Sequence, residues 1–493
     1  MIDRRAIEAL PLVAFSLLLA SSPVVGASRG GDNGVLDLAS AVSRALDTAP
    51  ATRAGRKRVE AQKQATAGAR GRLYPQLSAD ASASYSEFET SDSRFNPRTF
   101  AFEQSTQEVE QTSNSLGVSV EQTIYNREVF KRIDRARDQT QQARARLQAR
   151  RQDVIKRVAE TYFKVLRQRE SVSLARSELK FLRLRVEQLR ERLDRGLASQ
   201  VDVLDARVRK EEVEARLAKA RNASDEAAIQ LERLVGTSFD ALRAADVEGI
   251  DAGGGPSDQQ IQRWADQARA NSPEVAVAEA RADVREQAVA VRRSQYYPRL
   301  SLQARYSDTD RTDQVVSGEQ KRVALQLNVP LYTGGQTAAG VDEAKAREAA
   351  ARARLNDARR KGMLDARQIA NELRSAARQV SVQQRALETA RKQTQATERS
   401  YQQGLRNQVD VLEARARVFE IRRELTNAVY DRLIARVKLE SLIGALSIDR
   451  ARRLERDHLS ETLRMNRVAN GGVERDARGS TTGAAPSPLD GRR

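Results

Sequence analysis

Residues 196–207 read GLASQVDVLDAR, and residues 404–415 read GLRNQVDVLEAR; nine of the twelve positions are identical. Each stretch opens on a glycine, carries two acids three residues apart and closes on arginine. Glycine tolerates the positive φ that ends a helix. Acids placed just after it suit the first turn of the next helix, where free amides and the dipole favour negative charge. The motif therefore reads as a helix–turn–helix tip written twice.

The duplication extends well beyond the tips. Tyr74-Pro75-Gln76-Leu77-Ser78 matches Tyr297-Pro298-Arg299-Leu300-Ser301, and Thr123-Ile124-Tyr125-Asn126 matches Pro330-Leu331-Tyr332-Thr333. Asp47-Thr48-Ala49-Pro50 resembles Ala270-Asn271-Ser272-Pro273. The chain divides into a first repeat over 28–250, a linker DAGGGPSD at 251–258, a second repeat over 259–449 and a largely disordered tail over 450–493. Two copies are too few for a solenoid, which needs about three repeats.

Each copy has one internal order. A helix of about 37 residues runs to the Tyr-Pro, where proline stops it. A strand, a loop and a second strand follow, at about 77–86 and 115–124 in the first copy and about 300–307 and 322–331 in the second. A very long helix comes next, about 127–195 and 336–403, then the tip and a shorter returning helix. The inter-strand loops, 86–114 and 307–321, differ in length, and the first carries six acids against two arginines.

In the second-copy strands, Leu300, Leu302, Ala304 and Tyr306 alternate with polar residues, as do Val323, Leu325, Leu327 and Val329. Period-two alternation sets one apolar face against one polar face. The flanking helices are too charged to cover such a face, so in an exported chain the pattern suits a transmembrane barrel with lipid outside and water within. Four strands cannot close alone, and open edges cannot face hydrocarbon. The barrel must be shared between chains: eight strands from two chains would be filled by side chains, whereas twelve from three leave room for a channel.

The long helices carry heptads: Val158, Val165, Val172, Leu179, Val186 and Leu193 in the first copy, Ala366, Leu373, Val380, Leu387, Thr394 and Tyr401 in the second. Seven-residue spacing of this length is a coiled-coil seam. A 69-residue helix reaches about 100 Å, and two stacked 37-residue helices match it.

Composition narrows the function. Of 493 residues, 31% are charged and 4% aromatic, with no cysteine and one histidine, His458, which falls in the expected tail. No nucleophile–base pair or metal-ligand set is present, and the glycines at 253–255 lack the lysine of a phosphate loop. The chain reads as no enzyme, with no cofactor and no metal site. The net charge of +18 is interleaved with acids along helices, which is solvated surface and not a nucleic-acid stripe. Arg4 and Arg5, the apolar run Leu10–Ala20 and Val25-Gly26-Ala27 have the layout of a secretory signal peptide over 1–27.

In this order and spacing, the two Tyr-Pro-x-Leu-Ser starts, Val329-Pro330-Leu331-Tyr332-Thr333-Gly334-Gly335 and the two tips resemble the TolC-type outer-membrane efflux and secretion channels of Gram-negative bacteria. The resemblance covers about 35–449. It implies a mainly α chain with a small β portion, a homotrimer with a shared twelve-stranded transmembrane β-barrel, and a long periplasmic α-helical tunnel. It also implies a periplasmic adaptor, an inner-membrane transporter of RND or ABC type, and outer-membrane lipid around the barrel; no nucleic acid partner is expected on the charge pattern above. By the same resemblance Asp410 and Glu413 form an acidic ring at the periplasmic gate. Asp202, Tyr401 and Arg406 form a network that holds the gate closed; Gly196 and Gly404 read as helix-turn glycines from the positive φ of a helix end. Glu413 departs from the aspartate usual at its position. A competing reading makes Asp202, Asp410 and Glu413 plain helix-start residues and Tyr401 a seam residue. Another keeps the heptads but makes the chain an envelope scaffold, leaving the amphipathic strands unexplained.

Overall fold

The computed structural model describes residues 35–464 other than 99, 245–246, 248–252, 312–317 and 459–460. The signal-peptide stretch 1–27 and residues 465–493 lie outside the described residues. The first copy comprises β1 (Val35–Leu36), α1 (Leu38–Thr48), α2 (Pro50–Gly71), β2 (Gln76–Asn96), β3 (Ala101–Asn126), α3 (Arg127–Asp194), α4 (Gln200–Val235) and β4 (Ala241–Ala244). The second comprises α5 (Asp258–Asn271), α6 (Pro273–Arg293), β5 (Arg299–Arg311), β6 (Gly318–Asn328), α7 (Gln336–Gln402) and α8 (Gln408–Leu442), followed by α9 (Ile448–His458) and β7 (Glu461–Arg464).

Three expectations are corrected. The single helix before each Tyr-Pro is two helices, α1 with α2 and α5 with α6. Proline clashes with a helical residue before it, so Ala49 (ψ 121°) and Ser272 (ψ 137°) turn extended, while Pro50 and Pro273 start the next helix. The acidic stretch 86–114 is mostly strand: β2 and β3 pair in unbroken register from Gln76↔Glu121 to Asn96↔Ala101. Its Phe, Thr and Val content favours extension. The stretch expected as tail from residue 450 instead opens with α9 and β7, because Ala451, Leu454 and Glu455 of α9 bury a helical face. His458 is the last residue of α9.

One sheet has the order β2-β3-β5-β6, antiparallel throughout, which joins the hairpins of the two copies. Its outer edges, on β2 and β6, have no partner among the described residues. Among the described residues neither face is covered by helices. Leu77, Leu116, Val118, Val323, Leu325 and Leu327 stay exposed on one face, Val323 at 77%. The opposite face carries Ser78–Ser119 and Ser82–Ser115 hydroxyl pairs and an Asp80–Arg305 bridge of 2.8 Å. That bridge crosses β3 over Gly117, where a Cβ would lie 3.0 Å from both partners. No described helix is long and apolar enough to cross a membrane.

The rest is helical wall. The heptad residues of α3 from Val158 to Val186 are buried, as are Ala366, Leu373, Val380, Leu387 and Thr394 of α7. α3 packs along α4, α2, α6 and α8, and α7 along α8, α5 and α6, so each long helix lies beside a returning helix and shorter ones. At mid-height lies a second sheet that no sequence pattern announced, in which β4 pairs with β1 in parallel and with β7 in antiparallel fashion. Tyr162, fully buried in α3, donates to the carbonyls of Leu36 (3.2 Å) and Arg243 (2.8 Å), tying β1 and β4 to the wall. Burial pushes its phenol above the usual range.

Candidate functional site

The two tips are alike because their backbones demand the same residues. Gly196 (φ 71°) and Gly404 (φ 73°) take the left-handed conformation. The Gly196 and Leu197 amides close on Leu193 O and Arg192 O at 2.8 and 2.7 Å; those of Gly404 and Leu405 close on Tyr401 O and Ser400 O at 3.0 and 2.9 Å. This is the six-to-one closure that a C-terminal glycine permits. The returning helices open with capping boxes. Ser199 N–H donates to Asp202 Oδ2 (3.1 Å), and Asn407 N–H to Asp410 Oδ2 (3.2 Å). Asp202 and Asp410 thus both serve as caps.

The tips differ in what surrounds those acids. Asp410 is partly buried, with Arg406 Nη1 at 3.7 Å. Glu413, one turn on, is exposed and meets Arg209 Nη2 of α4 at 3.3 Å. Asp202 makes no bond to Tyr401 or Arg406 among the described residues. The Tyr401 hydroxyl instead accepts from Arg192 of α3. The Arg192 and Arg185 guanidiniums lie 5.5 and 5.7 Å from the centre of its ring, within cation–π reach. Burial lowers the Arg185 pKa, while Tyr401 acts to raise it. The structure therefore links Arg406 to Asp410 and Tyr401 to Arg192, and leaves Asp202 in its own cap.

The two coiled coils meet along a seam whose character changes with height. In the upper half a shared apolar cluster joins both copies, with Val158, Val165 and Leu166 among Leu425, Val429 and Leu433. In the lower half the first hairpin has its own cluster, built on Val172, Leu179, Val186, Leu189 and Val203, and among the described residues Leu412 is its only buried member from the second copy. The remaining cross-links are polar. Buried Glu178 of α3 is held by Arg216 of α4 (2.9 Å) and Arg423 of α8 (3.0 Å). Arg415 of α8 binds Glu398 of α7 and lies 5.1 Å from the Phe181 ring centre. Glu178, Arg192 and Arg209 escaped the sequence reading; among so many charges on α3 and α4, nothing in heptad spacing marks which ones cross between hairpins. Among the described residues, no group of three or more His, Cys, Asp or Glu is placed to hold a metal ion.

Comparisons place this architecture. A family model described as outer membrane efflux protein matches residues 41–237 and 264–445. Outer membrane protein TolC of Vibrio cholerae is 27% identical over 339 residues, spanning 68% of this chain and 77% of that protein. Alkaline protease secretion protein AprF of Pseudomonas aeruginosa is 28% identical over 335 residues, spanning 67% and 69%. Among solved structures, CusC superposes with a TM-score of 0.70 at 18% identity, covering 84% of this chain and 93% of that one. The Vibrio cholerae outer membrane protein VceC gives 0.66 at 18%, covering 83% and 96%. With the matched segments taking in both repeats from their first helices to their last, this chain belongs to the outer membrane efflux protein family, a family of Gram-negative outer-membrane channels and not of enzymes.

Proposed function

We propose that three copies of this chain form a passive exit duct through the outer membrane, continued as a helical tunnel across the periplasm. The observation that carries it is the four-stranded sheet with an exposed apolar face and two unpaired edges. Its strands alternate in direction, so β6 of one copy can pair antiparallel with β2 of the next. Three copies then give twelve strands, all antiparallel. At about 4.8 Å per strand and a tilt of about 40°, that barrel is about 24 Å across, wide enough for a channel. The 68 residues of α3 extend about 100 Å at 1.5 Å each, far beyond a hydrocarbon core of about 30 Å.

The tips form the periplasmic gate in this reading. Three Asp410 and three Glu413 ring the opening, with Arg406 and Arg209 partly compensating them, so selection for cations is moderate. Arg192–Tyr401 and Glu413–Arg209 hold the second hairpin against the first. The polar lower seam is the region that can separate, and the shared apolar cluster above it is the hinge. A periplasmic adaptor would engage the tips and an inner-membrane transporter, of RND or ABC type, would supply the energy. The name of the relative AprF, a secretion protein, favours a protein-exporting role as one candidate alongside small-molecule efflux.

In planar bilayers the purified protein is expected to pass small, cation-preferring currents. Asp410→Ala is expected to lower the cation-to-anion permeability ratio about two- to threefold; an unchanged ratio removes the acidic ring. Tyr401→Phe and Arg192→Ser each delete a seam contact worth about 1 kcal/mol, so each is expected to raise mean conductance severalfold. Currents equal to wild type in both variants would leave these residues with packing alone.

A further inference from the structure

Gln408 opens α8 at the tip and is 6% exposed, whereas Gln200, its counterpart in the first copy, is exposed. Neither Nε2 nor Oε1 of Gln408 has a hydrogen-bond partner among the described residues. A side-chain amide carries two donors and an oxygen with two lone pairs, so its whole polar capacity is stranded. The helix start does not require it, because Asn407 and Asp410 already form the capping box.

Its position shows what buries it. Leu412 lies one helical turn further along the same face, and Leu412 packs into the cluster built by the first hairpin. Gln408 therefore lies on the face of α8 that meets the first hairpin, one turn nearer the tip. Arg185, on α3 of that hairpin, also leaves its Nε without a hydrogen-bond partner among the described residues, although its guanidinium faces the Tyr401 ring. A leucine or methionine at 408 would complete an apolar contact there. The chain instead places an uncharged side chain whose burial is costly on both of its polar atoms.

We infer that Gln408 opposes closure of the tip. This rests on the reading that the hairpins separate along the lower seam. While they are packed, the amide is desolvated and unpaired. Once they separate, water supplies its hydrogen bonds. The penalty thus exists only in the closed arrangement and lowers the work an incoming partner must do to open it. Arg192–Tyr401 and Glu413–Arg209 hold the seam together; Gln408 sets how tightly they succeed. The duplication provides the contrast, since exposed Gln200 carries no such penalty.

The test exploits the opposite sign. Methionine matches glutamine in length without its polar atoms. In bilayers, Gln408→Met in the full-length trimer is expected to lower the open population about tenfold, equivalent to about 1.4 kcal/mol, whereas Tyr401→Phe raises it. Gln200→Met is expected to leave it unchanged. A second readout uses the absence of cysteine: a single thiol at Leu412, buried in the first hairpin's cluster, as Leu412→Cys, is expected to react with a maleimide about tenfold more slowly when Gln408→Met is added. If Tyr401→Phe opens the channel while Gln408→Met leaves current and labelling unchanged, or increases either, the inference is overturned and the gate stands. If Tyr401→Phe, Arg192→Ser and Gln408→Met all leave the current at wild type, the gate fails and this inference with it.

Discussion

Leu325→Arg is expected to eliminate the heat-modifiable trimer from outer-membrane fractions, although Leu325 is 64% exposed in the single chain. In a soluble protein an arginine at so exposed a site would change stability by less than about 0.5 kcal/mol. On the lipid face of a barrel, an arginine near the membrane midplane costs about 2–4 kcal/mol. In the proposed trimer the cost recurs three times, giving about 6–12 kcal/mol, comparable to the whole stability of an ordinary fold. Gln326→Arg, on the opposite face of the same strand, is expected to leave trimers intact. Wild-type amounts of outer-membrane trimer from Leu325→Arg would show that the apolar row does not face lipid.

Tyr162→Ala is expected to destabilise the helical wall by about 3–5 kcal/mol, the usual cost of truncating a buried aromatic. Tyr162 contacts Phe163 edge-on, at 6.1 Å between ring centres, and its hydroxyl reaches the carbonyls of both Leu36 and Arg243. Tyr162→Phe keeps the packing and loses the two hydrogen bonds, so about 1–2 kcal/mol is expected. Urea midpoints followed by helical circular dichroism measure both. A midpoint for Tyr162→Ala within error of wild type would mean that the mid-height sheet is not tied through this residue.

What could be read from the sequence was what repeats or alternates. The heptads from Val158 to Val186 mark a buried seam because period seven is visible over many turns. Leu325 and Leu327 mark an exposed apolar face because strand alternation is equally plain. The three-stranded sheet was illegible, since β1 has two residues and β4 and β7 have four each. Such pieces are too short to show a period, and their pairing joins distant stretches of the chain. The helix breaks were legible in principle: Pro50 and Pro273 sit at matching positions, yet the apolar pattern running through them outweighed the steric rule. At the tip, the glycines and capping acids follow from local chemistry. The partners of Tyr401 and Glu413 do not, because Arg192 and Arg209 reach them across a tertiary seam that leaves no mark on spacing.

The open edges of β2 and β6 carry a consequence for how such a protein comes into being. A lone chain can complete its helical wall but cannot place its strands in hydrocarbon, where each unsatisfied backbone group is penalised. In the proposed trimer, insertion of the strands and association of the chains are then coupled, because only closure satisfies the edges. Before that event the exported chain must persist as a half-finished monomer with an adhesive strand edge on either side. An edge left open in that interval is where a wrong partner strand could add, so assembly has to outrun mispairing.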